Sequence, residues 1–273
     1  MNIGIIGCGY VGCAIAKYWQ QKMTYVVTAT TTTPERVSSL ENLAQKVLVV
    51  KGNDIEGLKS FVKNQDVILL TIASGRGGNY KETYLDTANT LAELLQENSS
   101  VKQLIYTSTC SIYGDQKGAL VDEDVNVLPN ANGEFIRKTE EVLLSLTSST
   151  LKVCILRLGG IYGPSRELLK IYSRAGGTIR PGDGGEPINW IHLDDIVAGI
   201  EFARSQHLQG IYNLVDDTEL KNRELIDKVC KVHNLNPVTW DSNQPSSRQY
   251  NARLSNQKIK AAGYKFIYPY IGY

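Results

Sequence analysis

The sequence predicts a doubly wound α/β fold, a parallel β-sheet with helices on both faces and a small lobe on its C-terminal side. Three observations carry this expectation. Short apolar runs alternate with longer helical patterns. The apolar runs are rich in Val, Ile and Leu without strict alternation. After about residue 164 the texture changes, and Gly and Pro cluster. Strands buried on both faces read as near-continuous apolar runs, and repeated βα units wind into a parallel sheet.

The elements follow in order. "NIGIIG" (2–7) reads as the first strand and "CAIAKYWQQK" as the helix after it. "YVVTAT" (25–30) is the second strand. "PERVSSLENLAQ" follows as a helix, with Thr33 at its N-cap and Pro34 at its first position. "KVLVVKG" (46–52) and "DVILLTIA" (66–73) are further strands, and "KETYLDTANTLAELLQEN" is a helix. "KQLIYTST" (102–109) and "KVCILRLG" (152–159) complete the strand set. Between them, "NGEFIRKTEEVLLSL" (132–146) reads as a helix whose buried stripe is Phe135, Val142, Leu143 and Leu146. "RAGGTIRPGDGGEP" (174–187) and the polar stretch 234–257 suit an irregular lobe. The expected organisation is a dinucleotide-binding domain over 1–163, returning near 188–215. A small substrate lobe would be built from 164–187 and 216–273.

Composition excludes several function classes. The 29 basic and 28 acidic residues nearly balance and form no runs, which argues against nucleic acid or an anionic membrane as main partner. The five cysteines, at 8, 13, 110, 154 and 230, show no CxxC spacing and read as reduced residues, mostly small buried side chains. No metal site is expected. The N-terminal apolar run lacks a basic leader and is broken by Gly4, Gly7, Gly9 and Gly12, and no run approaches the roughly 18–20 apolar residues of a bilayer span. A soluble cytoplasmic protein is expected.

The chemistry starts at "IGIIGCGYVGCAIA" (3–16), which holds Gly7-x-Gly9-x-x-Gly12 between a strand and a helix. Gly7 permits the tight turn, Gly9 lets backbone approach a pyrophosphate, and Gly12 lets helix and strand pack closely. Tyr10 and Val11 belong to the same set, and the helix N-terminus offers N–H groups to phosphates. A Rossmann-type dinucleotide site is expected. An NAD site usually places an acid about 20 residues on, at the end of the second strand. Here "TATTTTPER" (28–36) has none before Glu35. Thr31 and Thr32 are able to bond a 2′-phosphate and Arg36 to pair with it, so NADP is favoured over NAD. Asp54 either meets the adenine amino group or caps a turn.

Several segments then fall in a familiar order: the glycine motif, Asn53-Asp54, "YTSTCSIYGD" (106–115), "RLGGIYGP" (157–164), "WIHLDDIVAGI" (190–200) and "GIYNLVDD" (210–217). Together they resemble the extended short-chain dehydrogenases/reductases, the NAD-dependent epimerase/dehydratase family, over nearly the whole chain. The resemblance implies a Ser or Thr at the end of the fifth strand and Tyr-x-x-x-Lys on the next helix. The tyrosine would be the acid/base and the lysine would hold the nicotinamide ribose. Thr109 takes the hydroxyl position. Tyr113-Gly114 falls on the family's Tyr-Gly in the loop after the strand. Two spellings of the motif mislead. Tyr113 and Lys117 lie in a loop punctuated by Gly114 and Gly118, and Tyr18 and Lys22 lie on the first helix.

On the expected helix the lysine place falls to Lys138 and the tyrosine place to Glu134. One residue earlier the pair would be Arg137 and Gly133. Neither register supplies a tyrosine, so the chain resembles an atypical subgroup. Three readings stay open for Glu134 and Lys138: a surface ion pair, a ribose-holding Lys138 beside an incidental Glu134, or Glu134 as a substitute acid/base with a raised pKa.

In this fold ligands sit outside the carboxyl ends of the strands. Ile72, Ala73 and Ser74 would therefore line the cofactor, with Thr107, and Arg76 and Tyr84 would face the substrate. The resemblance brings Gly160 and Ile161 to the nicotinamide and Tyr162 and Arg166 toward the cleft. It matches Arg248 to a phosphate-binding arginine, and it makes His192 a packing residue. The proton source would be Glu134, Tyr113, Tyr84 or a water. Two functions follow as expectations. The first is an NAD(P)-dependent epimerase/dehydratase or reductase for a sugar-like or small carbonyl substrate. The second is a cofactor-binding sensor or scaffold without turnover. The resemblance also implies a homodimer through the fourth and fifth helices.

Overall fold

The computed structural model describes residues 1–75, 77–97, 100–248 and 250–272. Arg76, expected to face substrate, lies outside the described residues. The elements run β1 (Asn2–Ile6), α1 (Tyr10–Lys22), β2 (Val26–Thr31), α2 (Val37–Leu40), β3 (Lys46–Val49), α3 (Ile55–Val62) and β4 (Val67–Leu70). Then come α4 (Thr87–Gln96), β5 (Gln103–Thr109), β6 (Asp115–Val121), α5 (Ala131–Leu144), β7 (Lys152–Leu158), β8 (Gly160–Tyr162) and α6 (Leu168–Tyr172). The chain ends with β9 (Ile179–Pro181), β10 (Trp190–His192), α7 (Leu193–Ser205), β11 (Gly210–Leu214), α8 (Asn222–Val232), β12 (Thr239–Asp241), β13 (Asn251–Leu254) and α9 (Gln257–Ala261).

The chain divides into two compact units. Residues 1–109, 131–157 and 197–212 form the first, and 110–130, 158–196 and 213–273 form the second. The first unit is built on a seven-stranded sheet in the order β11-β7-β5-β4-β1-β2-β3. The pairings β1–β2, β1–β4, β2–β3 and β4–β5 are parallel. The expected doubly wound sheet is therefore present. Its strands are apolar because β4 and most of β1 and β5 are buried, whereas β3 at the sheet edge is half exposed. Ile6, Phe61, Ile68, Leu70, Leu91, Leu104 and Val153 lie in one apolar core of this unit.

The second unit holds its own core, in which Leu168, Tyr172, Ile188, Leu225, Ile226 and Val229 pack together. Its short strands pair as β8–β10, β9–β12 and β6–β13. Among the described residues no helix is long and apolar enough to cross a membrane, and no His, Cys, Asp and Glu group is arranged to hold a metal.

Three sequence expectations are corrected. "PERVSSLENLAQ" is not one helix. A single 3-10 turn over Pro34–Arg36 leads into the four-residue α2, and Thr33 occupies the N-cap without a side-chain hydrogen bond. Lys117 does not lie in a loop but in β6, at φ 55°, which strains a non-glycine residue. The inward face of α5 is Gly133, Ile136, Thr139, Glu140 and Leu143; of the expected stripe Leu143 and Leu146 are buried, while Phe135 and Val142 are only half-buried. Sequence reading also passed over α8, whose Leu225, Ile226, Val229 and Cys230 are buried.

Candidate functional site

The glycine motif is built within the first unit. Gly7 has φ +89°, and a Cβ there would lie 2.7 Å from the Thr71 carbonyl oxygen and 2.9 Å from Ile72 Cγ2. A side chain at Gly12 would meet the Gly7 oxygen at 2.7 Å, whereas one at Gly9 would meet nothing within 4 Å. Two glycines are thus required by packing and the third opens onto free space, the pattern that close approach of a phosphate demands. Gly9 caps α1 without a side-chain hydrogen bond, and the first turn carries no acid. The positive end of the helix therefore faces no capping side chain and no first-turn carboxylate, which favours an anion there.

Around this cradle, Thr31 is buried, and its hydroxyl accepts the Thr33 N–H at 3.1 Å. Thr32 is exposed. Arg36 Nη2 lies 3.5 Å from Cys13 Sγ, so the guanidinium stands at the first turn of α1. Asp54 caps α3, its Oδ1 accepting the Gly57 N–H at 3.0 Å, which favours the capping alternative. Beyond β4, the Ser74 N–H donates to the Tyr84 hydroxyl at 3.1 Å. Burial raises the Tyr84 phenol above its ordinary pKa. Ile72 and Ser74 are half-buried and Ala73 is exposed. Thr107 is buried, with its hydroxyl 3.5 Å from the Leu70 carbonyl oxygen, and Thr109, half-buried, ends β5.

The remaining expected site residues lie in the second unit. Gly160 and Ile161 form β8 and pair with Trp190 and Ile191. Tyr162 is buried, and its ring meets His192 edge-on at 5.0 Å. His192 also packs on Tyr268 at 4.0 Å, and its Nδ1 accepts the Asp194 N–H. Arg166 is exposed and its N–H donates to the Gly163 carbonyl. The Arg248 guanidinium lies 5.2 Å from the Tyr250 ring centroid. Tyr113 needs correction as a proton source. It is fully buried and its hydroxyl donates to Asn213 Oδ1 at 2.8 Å, an anchor in the core rather than a group presented to a ligand.

Asp216 is an acid that sequence reading missed. Burial pushes its carboxyl up to about 7, against hydrogen bonds from Thr218. The unfolded value is about 4. A pKa raised in the folded state means that the native chain holds this proton more tightly. The contribution to stability is complete below about pH 4 and is lost as pH rises through about 7. Melting temperature is therefore expected to carry a downward component across that window. Asp216→Asn should remove that component; an unchanged melting profile in the variant would refute the assignment.

A family model described as the NAD dependent epimerase/dehydratase family matches residues 3–214. The chain belongs to this family. Among curated relatives, Protein YeeZ of Escherichia coli K12 is 24% identical over 285 residues, covering 98% of this chain and 96% of that protein. Solved structures show the same fold. UDP-glucuronic acid 4-epimerase from Bacillus cereus, in complex with NAD, superposes with a TM-score of 0.75 at 19% identity, covering 95% of this chain and 91% of that one. dTDP-glucose 4,6-dehydratase from Bacillus anthracis, also with NAD, gives 0.78 at 20%, covering 96% and 89%.

Membership in this family directs attention to α5, where the tyrosine and lysine places are expected at Glu134 and Lys138, or one residue earlier at Gly133 and Arg137. Lys138 is exposed. Glu134 does not pair with it; both its oxygens accept from Arg137, Oε1 from Nη2 at 2.5 Å and Oε2 from Nε at 2.9 Å. The Arg137 hydrogen bonds hold the Glu134 carboxyl below the usual range, the opposite of what a substitute general acid needs. The same helix turns a different acid inward. Glu140 is buried and accepts from Ser108 Oγ on β5 at 2.5 Å and from Arg157 Nη2 on β7 at 2.7 Å. Sequence reading missed this triad because its members stand on three separate elements.

Proposed function

We propose that the protein binds NAD(P) at the glycine cradle of its first unit. It acts there as an epimerase/dehydratase-type or reductase-type enzyme on a sugar-like or small carbonyl substrate. One observation carries the reading: Gly9 faces open space at a helix start without a side-chain cap or a first-turn acid, while Gly7 and Gly12 are forced by packing. Gly7, Gly9, Tyr10, Val11 and Gly12 would hold the pyrophosphate, and Ile72, Ala73, Ser74 and Thr107 the nicotinamide side. A bound nicotinamide supplies or accepts a hydride. The chain's part is to orient: Thr109 presents a hydroxyl for a substrate oxygen, and Tyr84 is tied to the backbone after β4. NADP is the preferred form. The end of β2 carries Thr31 and Thr32 instead of an acid, and Arg36 follows shortly after it in sequence, a cation able to pair with a 2′-phosphate.

A second reading is cofactor binding without turnover. It draws on the exposed Lys138 and on Glu134 held by Arg137. Calorimetric titration with NADPH and NADH, followed by nicotinamide absorbance on adding UDP- and dTDP-sugars or small carbonyls, separates the two. NADPH is expected to bind more tightly than NADH. Gly7→Ala, strained at φ +89° and blocked by the Thr71 carbonyl, should lose about tenfold or more in affinity. Binding without any absorbance change would favour the second reading. Binding of neither dinucleotide would overturn both.

A further inference from the structure

We infer that Cys8 and Cys13 form a redox-responsive dithiol that closes to a disulfide under peroxide and thereby weakens dinucleotide binding, the last step resting on the cofactor reading above. The turn at Gly7 (φ +89°) brings these residues, five apart in sequence, together beside the cradle. Their sulfurs lie 3.8 Å apart, and the Cys13 thiol donates to the Cys8 carbonyl oxygen at 3.4 Å, a hydrogen bond given up when the thiol ionises. A disulfide needs about 2.0 Å, which demands movement of the side chains and of the turn between them. The third participant is Arg36, whose Nη2 lies 3.5 Å from Cys13 Sγ. Cys13 also stands in the first turn of α1, where the positive helix end favours a thiolate. It is half-buried, whereas Cys8 is 1% exposed.

The pair is chemically asymmetric. A hydrogen bond from the Cys8 thiol, with the Arg36 charge and hydrogen bond in support, brings Cys13 down to about 6 against the burial that opposes it. The same hydrogen bond, with burial, pushes the Cys8 thiol far up. Cys13, half-buried beside Arg36 in the first turn of α1, is the nucleophile, and the buried Cys8 is the resolving thiol. The Cys13 thiolate attacks one oxygen of hydrogen peroxide, the O–O bond breaks, and hydroxide leaves, giving a sulfenic acid. Cys8 sulfur then attacks the sulfenyl sulfur. The S–S bond forms, the S–O bond breaks, and the Cys8 proton departs with the hydroxyl as water. Two thiols lose two electrons, and peroxide is reduced to two waters once the first hydroxide is protonated.

Closure would act on cofactor binding in two ways. The linkage spans Gly9 to Gly12 and draws the first turn of α1 toward the end of β1, distorting the N–H groups of the cradle. It also removes the thiolate partner of Arg36, so the guanidinium is no longer held at that turn.

The test uses the full chain, reduced with dithiothreitol and then exposed to stoichiometric hydrogen peroxide. Intact mass should fall by two hydrogen atoms, and peptide mapping should join Cys8 to Cys13. NADPH affinity, by calorimetry, should fall by about tenfold or more and return on re-reduction. Cys8→Ser should stop at a Cys13 sulfenic acid trapped by dimedone, and Cys13→Ser should yield no linkage. Each variant is compared only with itself before and after oxidant. Absence of the Cys8–Cys13 linkage in the wild-type chain overturns the dithiol whatever the cofactor arm shows. Linkage with unchanged affinity overturns the control of binding. If the reduced chain binds no dinucleotide, the cofactor reading fails and control of binding fails with it, while the peptide map judges the dithiol independently.

Discussion

Glu140→Ala is expected to lower the unfolding free energy by about 3–5 kcal/mol. Glu140 and Arg157 are buried, with side-chain exposures of 3% and 5%, and their ion pair closes at 2.7 Å. Arg157 Nε also lies 3.2 Å from each carboxylate oxygen, and Ser108 donates to Oε1. The carboxylate therefore answers donors from both β5 and β7 while riding on α5. Removing it strips the opposing charge from a guanidinium already taken out of water, and that penalty outweighs the lost attraction itself. The control is Glu140→Leu with Arg157→Met, which replaces both charges by apolar groups and should recover much of the loss. Urea denaturation of the three proteins measures it. A single variant costing under about 1 kcal/mol would show that the pair is solvated, against its burial.

The second large effect is expected at Asp195→Ala, in the other unit. Asp195 is fully buried. Its Oδ1 accepts the Tyr264 hydroxyl at 2.8 Å and the Ile267 N–H at 2.7 Å, and its Oδ2 accepts the Tyr268 N–H at 2.8 Å. One carboxylate thus ties the start of α7 to the segment after α9. Alanine leaves the Ile267 and Tyr268 N–H groups without their acceptor, at about 1–3 kcal/mol for each that stays dry, while the Tyr264 hydroxyl keeps the Asp195 carbonyl oxygen at 3.0 Å. A loss of about 3 kcal/mol or more is expected, with early proteolytic cleavage between α9 and residue 272. Tyr268 packs on His192, so freeing the segment also removes that contact. Unaltered cleavage and stability would mean that the segment is held by its apolar contacts, such as those of Ile271.

The glycine cradle was legible because every part of it is local. A strand, three glycines and a helix start follow one another within residues 2–22, and each glycine's role follows from backbone sterics. The register of α5 was legible only in part, since Leu143 and Leu146 are buried as expected but Phe135 and Val142 are only half-buried. Apolar periodicity pointed to Phe135, Val142, Leu143 and Leu146, yet the helix turns Glu140 inward. Hydrophobic patterning assumes that charges face water, and a buried ion pair breaks that assumption. The cysteines show the same limit. Spacing without CxxC gave no sign of a pair, and only the reversal at Gly7 brings the two sulfurs within 3.8 Å.

By itself the sequence determined the alternation of strands and helices, the parallel sheet they imply, and the glycine cradle at its first turn. Those features arise from side-chain period and backbone freedom over a few neighbouring residues. Only the tertiary structure decided which face of α5 is buried, that Glu134 answers Arg137 instead of Lys138, that Tyr113 is an anchor, and that Glu140, Arg157 and Ser108 meet. The α5 face, the Tyr113 anchor and the buried triad depend on which elements pack together, because Tyr113 and Asn213 stand 100 positions apart and Glu140 and Arg157 stand 17 apart. The choice between Arg137 and Lys138 is local in sequence, but both spacings lie on one helix face, so it was settled only by where the side chains came to rest.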